Sequence, residues 1–301
     1  MITYNHEKYI EQAIRSVFSQ EGDFNLELVI GIDHSEDNTF SICKKMKDEL
    51  CTENKTIKII TSSERVGMSR NLQRTLGECN GKYIAFLEGD DYWTLTDKLL
   101  RQKHFLDKNS NVDICSTLFS TYLVEKDETS NPDENKSNKL FKISIDHASI
   151  QNPFGTLTVM VRNNNAKIPN WIWDMPFIDW PLYCFFLAQN KIGYILNLNT
   201  ATYRFHNNGV FGSKKGMDVL NNTNIILSNI KKGFSYVLNK KTLRLLDRKI
   251  YQNKKNIFYL NKQDNGMTIK TLTSLFYLLR TSISDCNLKE SKSLINYFLF
   301  H

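Results

Sequence analysis

The chain has 301 residues and a net charge of +7, with 41% hydrophobic and 12% aromatic residues, the make-up of a folded globular protein long enough for two domains. No apolar run approaches the roughly 18 residues that a membrane-spanning helix needs, and the first residues lack the basic and apolar sections of a secretory leader. The positive charge is uneven: residues 214–301 carry 16 Lys and Arg against 5 Asp and Glu, or +11, which leaves 23 against 27, or −4, for the rest.

Strand and helix signals alternate over the first 120 residues. Asn5 can cap a helix that carries Ile10, Ala13, Ile14, Val17 and Phe18 on one face. Residues 26–32 form a continuous apolar strand, and Asp37 or Asn38 can cap a helix burying Cys43, Met46 and Leu50. A strand over 57–60, a helix with Leu72, Leu76 and Cys79, and an apolar strand over 83–87 follow. A helix over 95–107 and a strand over 112–118 complete the series. Apolar strands alternating with amphipathic helices predict an α/β fold with a parallel sheet covered on both faces.

The pattern then changes. Residues 127–138 are polar and turn-rich and read as a surface loop. From Phe141 to Phe211, strands and short helices alternate irregularly, and Trp171, Trp173 and Trp180 fall here. After Met217 the pattern is helical, with Leu220, Ile225, Ile226 and Ile230, then Leu272, Leu275, Leu278 and Leu279 at helical spacings. The division this suggests is 1–120, 121–213 and a basic helical region over 214–301. Six scattered cysteines with no Cys-x-x-Cys pair point to reduced thiols and a cytoplasmic protein. No glycine-rich dinucleotide fingerprint and no Walker loop is present.

The most informative segment is Glu88-Gly89-Asp90-Asp91, at the end of the 83–87 strand. Carboxylates this close repel one another and raise each other's pKa, whereas a divalent cation favours their ionised forms. The carboxyl end of a strand in an open α/β sheet is also where such sheets bind ligands. An acidic turn that merely caps the next helix is the plainer reading. The company of this segment favours the first: Thr3-Tyr4-Asn5-His6, Asp33-His34-Ser35-Glu36-Asp37-Asn38-Thr39, Gly67-Met68-Ser69-Arg70-Asn71, Ile178-Asp179-Trp180, and Tyr203-Arg204-Phe205-His206-Asn207-Asn208-Gly209-Val210.

In order and spacing these motifs resemble the family 2 inverting glycosyltransferases of the GT-A fold, of the kind used in bacterial surface-polysaccharide synthesis, over residues 1 to 213. The resemblance implies a nucleotide-sugar-binding half over 1–120 and an acceptor-binding, catalytic half over 121–213. It implies that Tyr4 stacks on uracil and that Asp33 accepts the imide N–H of the base. The family often has a second acid before Asp33, where this chain has Ile32. Arg70 matches a basic residue near the nucleotide. Glu88 and Asp90 match the two acids of the Asp-x-Asp signature, with Asp90 on Mn²⁺ or Mg²⁺ and Glu88 one methylene longer than usual. Asp179 matches the catalytic base. His206 matches a metal or phosphate ligand, and Arg204 a residue closing over the diphosphate. Trp180 suits a sugar ring, whose C–H faces are apolar.

The expected activity is therefore metal-dependent, inverting transfer of a sugar from a nucleotide-diphosphate sugar, with UDP as the expected carrier, to a saccharide acceptor. The basic tail adds an acceptor linked to a lipid diphosphate and peripheral attachment at the inner, anionic membrane face, with homo-oligomerisation as the competing use of the tail. Nucleic acid is not expected as a partner, because the basic residues are dispersed. One departure stands out. The family has a complete first strand where this sequence has Met1-Ile2-Thr3, so either the native start lies upstream or the fold accepts a stub. A stub that cost catalysis would leave a saccharide- or nucleotide-binding protein, which is the alternative function.

Overall fold

The computed structural model describes residues 1–132, 140–207, 209 and 216–265. Expectations resting on Asn208, Val210, Leu272, Leu275, Leu278, Leu279 and the end of the 127–138 loop fall outside these residues. Two compact units divide at Ser213 and Lys214.

The first unit opens on β1 (Ile2–Thr3), α1 (Ile10–Phe18), β2 (Leu26–Ile32), α2 (Thr39–Leu50), β3 (Lys55–Ile60) and α3 (Met68–Gly77). Strands β1, β2 and β3 form a parallel sheet in that order. The reason is visible in the residues: β2 is buried along almost its whole length, as a strand covered on both faces must be. Helix α1 buries Ile10, Ala13, Ile14 and Val17, and Ile10, Ile14 and Val17 share one core cluster with Leu28 and Ile30 of β2. On the other side α3 sits so close that a Cβ on Gly31 would come within 1.9 Å of Thr75 Oγ1. Only glycine admits that approach, and Asn71 Nδ2 uses it to donate to the Gly31 carbonyl at 2.8 Å.

The chain continues through β4 (Tyr83–Ala85), β5 (Tyr92–Trp93), α4 (Lys98–Lys108), β6 (Val112–Leu123), β7 (Glu128–Ser130), β8 (Phe141–Ile143), α5 (Ile145–Ile150), β9 (Met160–Arg162), α6 (Asn170–Trp173), α7 (Asp179–Leu187) and β10 (Ile192–Phe205). The second sheet has the order β4-β9-β6-β10-β5, with β7 on β6 and β8 on β10. A parallel bridge between Ile2 and Glu88 joins it to the first sheet, and Gly89 N–H donates to the Ile2 carbonyl at 2.9 Å.

The α/β class with helices on a mainly parallel core is as expected, but the second sheet is mixed. Strand β9 runs antiparallel to both β4 and β6, so a segment from the second half separates two strands that sequence order alone would make neighbours. Residues 128–130, read as loop, pair antiparallel with β6. Asn5 does not cap α1: it has φ 52°, and the helix starts five residues later, after Tyr9. Asp37 supplies the cap at α2, accepting from Thr39 N–H at 3.0 Å.

Strand β1 is only two residues long. Beside its start a cavity of about 230 Å³ opens between β2 and β4, lined by Leu26, Leu28, Val29, Tyr83, Ile84 and Ala85 among others. The second unit pairs α8 (Gly216–Phe234) with α9 (Lys240–Asn265). Asn239 Oδ1 accepts from Thr242 N–H at 2.8 Å at the turn into α9, and Lys231 pairs with Asp247 between the helices.

Candidate functional site

Three strand ends meet in one place, because parallel strands deliver their carboxyl ends to one edge of the sheet. The turn after β1 and the loop after β2 are locked together. Asn5 N–H donates to Ser35 Oγ at 3.1 Å, His6 N–H to Thr39 Oγ1 at 2.9 Å and Glu7 N–H to Asp37 Oδ2 at 2.9 Å. In return Asn5 Oδ1 accepts from Glu36 N–H at 3.0 Å. Short polar residues at these positions replace the ladder bonds that the chain gives up on leaving the sheet.

Asp33 is 3% exposed. Its Oδ1 accepts from Val66 N–H at 2.7 Å and its Oδ2 from Gly67 N–H at 2.9 Å. Each oxygen thus accepts one backbone N–H of the loop that leads into α3, and the carboxylate ties that loop to the end of β2. Tyr4 stands beside it, with the guanidinium of Arg65 stacked 4.2 Å over the centre of its ring.

The acidic tetrad follows β4. Gly89 is required here by close approach, since a Cβ would meet Thr3 Oγ1 at 2.6 Å. Asp90 Oδ2 faces two imidazoles, His206 Nε2 at 3.2 Å and His6 Nε2 at 3.6 Å. Burial pushes the Asp90 pKa up, but the hydrogen bond with His206 and the nearby His6 outweigh it and hold the carboxyl below its ordinary value. Glu88 goes the other way. Burial, then the charges of Asp90 and Asp179, push it up to about 8, and its Oε2 is buried without a hydrogen-bond partner. Asp91, 1% exposed, is also raised by burial and its acidic neighbours, and it accepts from Arg204 N–H at 2.8 Å.

Arg204 is spent inside the protein. Its guanidinium donates to the Asp90 carbonyl and to Gln12 Oε1 and lies between the rings of Tyr92 and Tyr9, at 4.4 and 5.1 Å. At 5% exposure it braces the acidic turn and does not reach outward as a diphosphate clamp would. Arg70 stands apart from this cluster, on the exposed side of α3, paired with Asp174 at 3.0 Å and bonded to Gln73. Arg74, one turn on, points inward to the Thr61 and Ile32 carbonyls.

Asp179 opens α7 and accepts from Asn152 Nδ2 at 2.8 Å. Burial raises its pKa; hydrogen bonds from the backbone at 180 and 179 and from Asn152 oppose that. Its charge is felt by Glu88, so the first and second halves of the unit share one electrostatic site. Trp180 is partly buried and donates its indole N–H to the Ala148 carbonyl at 2.6 Å, which ties α7 to α5. Trp93 and Trp173 are core residues at 6% exposure each.

The structure therefore brings Glu88, Asp90, His206 and Asp179 together, with Tyr4 and Asp33 at one side and Arg204 behind. Arg70 does not join them. Asn152, Gln12 and Tyr9 carry no local signal in the sequence, because their roles depend on what the fold sets beside them, and Tyr92, next to the acidic tetrad in sequence, is shown against Arg204 only by the fold. His6 lies inside a motif of the sequence, yet only the fold shows it facing Asp90. Among the described residues, no group of three or more His, Cys, Asp or Glu side chains is arranged to hold a metal by itself. The donors present nevertheless fit a hard divalent cation that takes most of its ligands from phosphate: a carboxylate and an imidazole in contact, and a buried carboxyl oxygen without a partner.

Comparison with known proteins gives a consistent result. The family model described as Glycosyl transferase family 2 matches residues 1–168. An uncharacterized protein of Mycobacterium tuberculosis is 28% identical over 214 residues, which are 70% of this chain and 59% of that protein. The chain thus spans well under two thirds of that relative's length. The Escherichia coli UDP-Glc:alpha-D-GlcNAc-diphosphoundecaprenol beta-1,3-glucosyltransferase WfaP is 33% identical over 126 residues, 41% of this chain and 45% of WfaP. Among solved structures, S. aureus TarS 1–349 in complex with UDP-GlcNAc superposes with a TM-score of 0.64 at 14% identity, covering 98% of this chain and 89% of that 1–349 chain.

Proposed function

The chain belongs to glycosyl transferase family 2, and from that premise we propose that it moves a sugar from a UDP-sugar to a saccharide acceptor with inversion at the anomeric carbon. The observation that carries the reading is that the charges of Asp90 and of Asp179, which opens α7 far along the chain, both act on the buried Glu88 of the acidic tetrad.

In this reading Asp179 is the general base. One of its oxygens takes the proton of the acceptor hydroxyl while that oxygen bonds to the anomeric carbon. The bond from the anomeric carbon to the diphosphate breaks on the opposite face, and the nucleoside diphosphate leaves with the electron pair. Burial makes the Asp179 carboxylate more basic than an ordinary aspartate, while the Asn152 amide fixes the plane in which it presents its lone pairs. Tyr4 stacks on the base, and Asp33 holds the loop that forms the other side of the base site. Asp90 and His206 would hold Mn²⁺ or Mg²⁺, which when bound supplies positive charge to the departing diphosphate. Arg204 keeps the Asp90 backbone in position.

The acceptor is proposed to be a lipid-diphosphate-linked saccharide, by analogy with the acceptor in the name of WfaP and by the basic tail. No helix among the described residues is long and apolar enough to cross a membrane. The test is donor turnover with UDP-, GDP- and dTDP-sugars in the presence of Mn²⁺. Turnover with a UDP-sugar, and a product anomer opposite to the donor, supports the reading. Nucleotide binding without turnover of any donor, even with saccharide acceptors present, leaves the binding-protein alternative in its place.

A further inference from the structure

Arg65 carries a guanidinium with no hydrogen-bond or ion-pair partner among the described residues, although it lies stacked on the ring of Tyr4 at 4.2 Å. Neither residue is there by accident of a flexible loop. Asp33 N–H donates to the Thr3 carbonyl at 2.9 Å, which fixes the backbone next to Tyr4. The Asp33 carboxylate meanwhile binds Val66 N–H at 2.7 Å and Gly67 N–H at 2.9 Å, which fixes the backbone next to Arg65. A single buried aspartate thus holds both sides of the stack at a set spacing. Gly67, at φ 82°, takes a backbone conformation that turns the loop into α3 behind them.

A planar guanidinium stacks on a nucleobase as readily as on a tyrosine ring, and exposed pairs of this kind are only weakly held. Arg65 is exposed and has a long flexible stem, so a ligand that wants the Tyr4 face can lift it without disturbing any other bond. We infer that Arg65 is the second wall of the base site: on binding, the uracil ring slides between Tyr4 and the guanidinium, and Arg65 restacks on its outer face. The inference rests on the reading of Tyr4 as the base-stacking residue, and it adds a residue that this reading does not include.

Titration calorimetry with UDP, and ligand-observed NMR with uridine, decide the matter on the full chain with Mn²⁺ present. Arg65→Ala should weaken UDP and uridine by the same factor, about fivefold if the stack matches other exposed cation–π contacts. Arg65→Lys should behave like the alanine variant, because an ammonium keeps the charge but has no plane to stack. Unchanged or tighter binding by Arg65→Ala overturns the inference, the latter by showing that Arg65 merely blocks the site. A loss for UDP but not for uridine, or full rescue by lysine, overturns it in favour of a phosphate contact. Loss in Tyr4→Ala with no loss in Arg65→Ala removes Arg65 alone. A parent protein that binds neither UDP nor dTDP removes the base-site reading and this inference with it.

Discussion

Lys98 gives the sharpest quantitative test of the packing behind the site. It is 0% exposed, and burial lowers its pKa from 10.5 to about 7. No carboxylate faces it. Its Nζ donates to Gln102 Oε1 at 2.7 Å and lies 4.3 Å over the Trp93 ring. Gln102 is itself fixed, since its amide donates to the Cys115 and Thr158 carbonyls at 2.7 and 2.8 Å. A lowered amine pKa means that folding disfavours the charged form. The cost is absent above about 10.5, accumulates as the pH falls to about 7, and is constant below that. At about 1.4 kcal/mol per tenfold, the whole gap is worth about 5 kcal/mol, and about 4 of it is present at pH 7. Lys98→Met keeps the length and removes the charge, but leaves Gln102 Oε1 without a donor at a cost of about 1–3 kcal/mol. The variant should therefore be more stable than the parent by about 2 kcal/mol at pH 7, and slightly less stable at pH 10. Urea unfolding followed by tryptophan fluorescence suits this, because all four tryptophans lie in the first unit. A stability difference that keeps the same sign and size at both pH values would refute the assignment of a desolvated amine.

Two further outcomes follow from the site and one from the basic region after it. Asp179→Asn keeps the shape and the Asn152 contact but cannot take a proton, so transfer should fall by about 10²–10⁴ while UDP binding is unchanged; transfer within threefold of the parent would remove Asp179 as the base. Asp90→Ala should abolish the gain in UDP affinity that Mn²⁺ gives the parent, because the His6 and His206 imidazoles then lose the carboxylate between them; calorimetry with and without Mn²⁺ reads this, and an unchanged gain moves the metal elsewhere. The region from Lys214, at +11, should bind anionic vesicles at low salt and release them at high salt, each well-placed lysine contributing about 1 kcal/mol. A failure to co-sediment with such vesicles, together with a dimer that dissociates when residues after Gly216 are removed, would make this region an assembly element.

The fold was legible where a local pattern has one physical meaning. A run such as Leu26–Ile32, apolar on both faces, can only be a strand covered on both sides, and β2 has those bounds. The same logic placed the body of α1 and α3 and the start of β6, while α1 begins later than the Asn5 cap implied and β6 runs on to Leu123. It failed where partners come from far along the chain. Nothing in residues 83–87 says that the neighbouring strand will be Met160–Arg162 and antiparallel, and nothing in residues 128–130 reveals their pairing with β6. Asn5 misled for a related reason. Its side chain suits a helix start, but it serves equally well in the left-handed turn it occupies, where it bonds to Glu36.

The site repeats this division between identity and placement. Glu88, Asp90, Asp179 and His206 were gathered as candidates by the resemblance of their ordered motifs to a known family, since a lone helix-start aspartate or a lone histidine reads equally well as a structural residue. The arginines could not be sorted that way. Arg70, Arg74 and Arg204 look alike in sequence, yet one is exposed and paired with Asp174, one is bonded to strand-end carbonyls, and one is clamped between two tyrosines. What separates them is how many donors the protein has already used, a quantity set by tertiary contacts alone. By that measure Arg204 is buried, with its guanidinium given to the Asp90 carbonyl and Gln12, and it supports the site through the acidic turn that it holds. Arg65, exposed and with its plane on Tyr4, has no hydrogen-bond or ion-pair partner among the described residues.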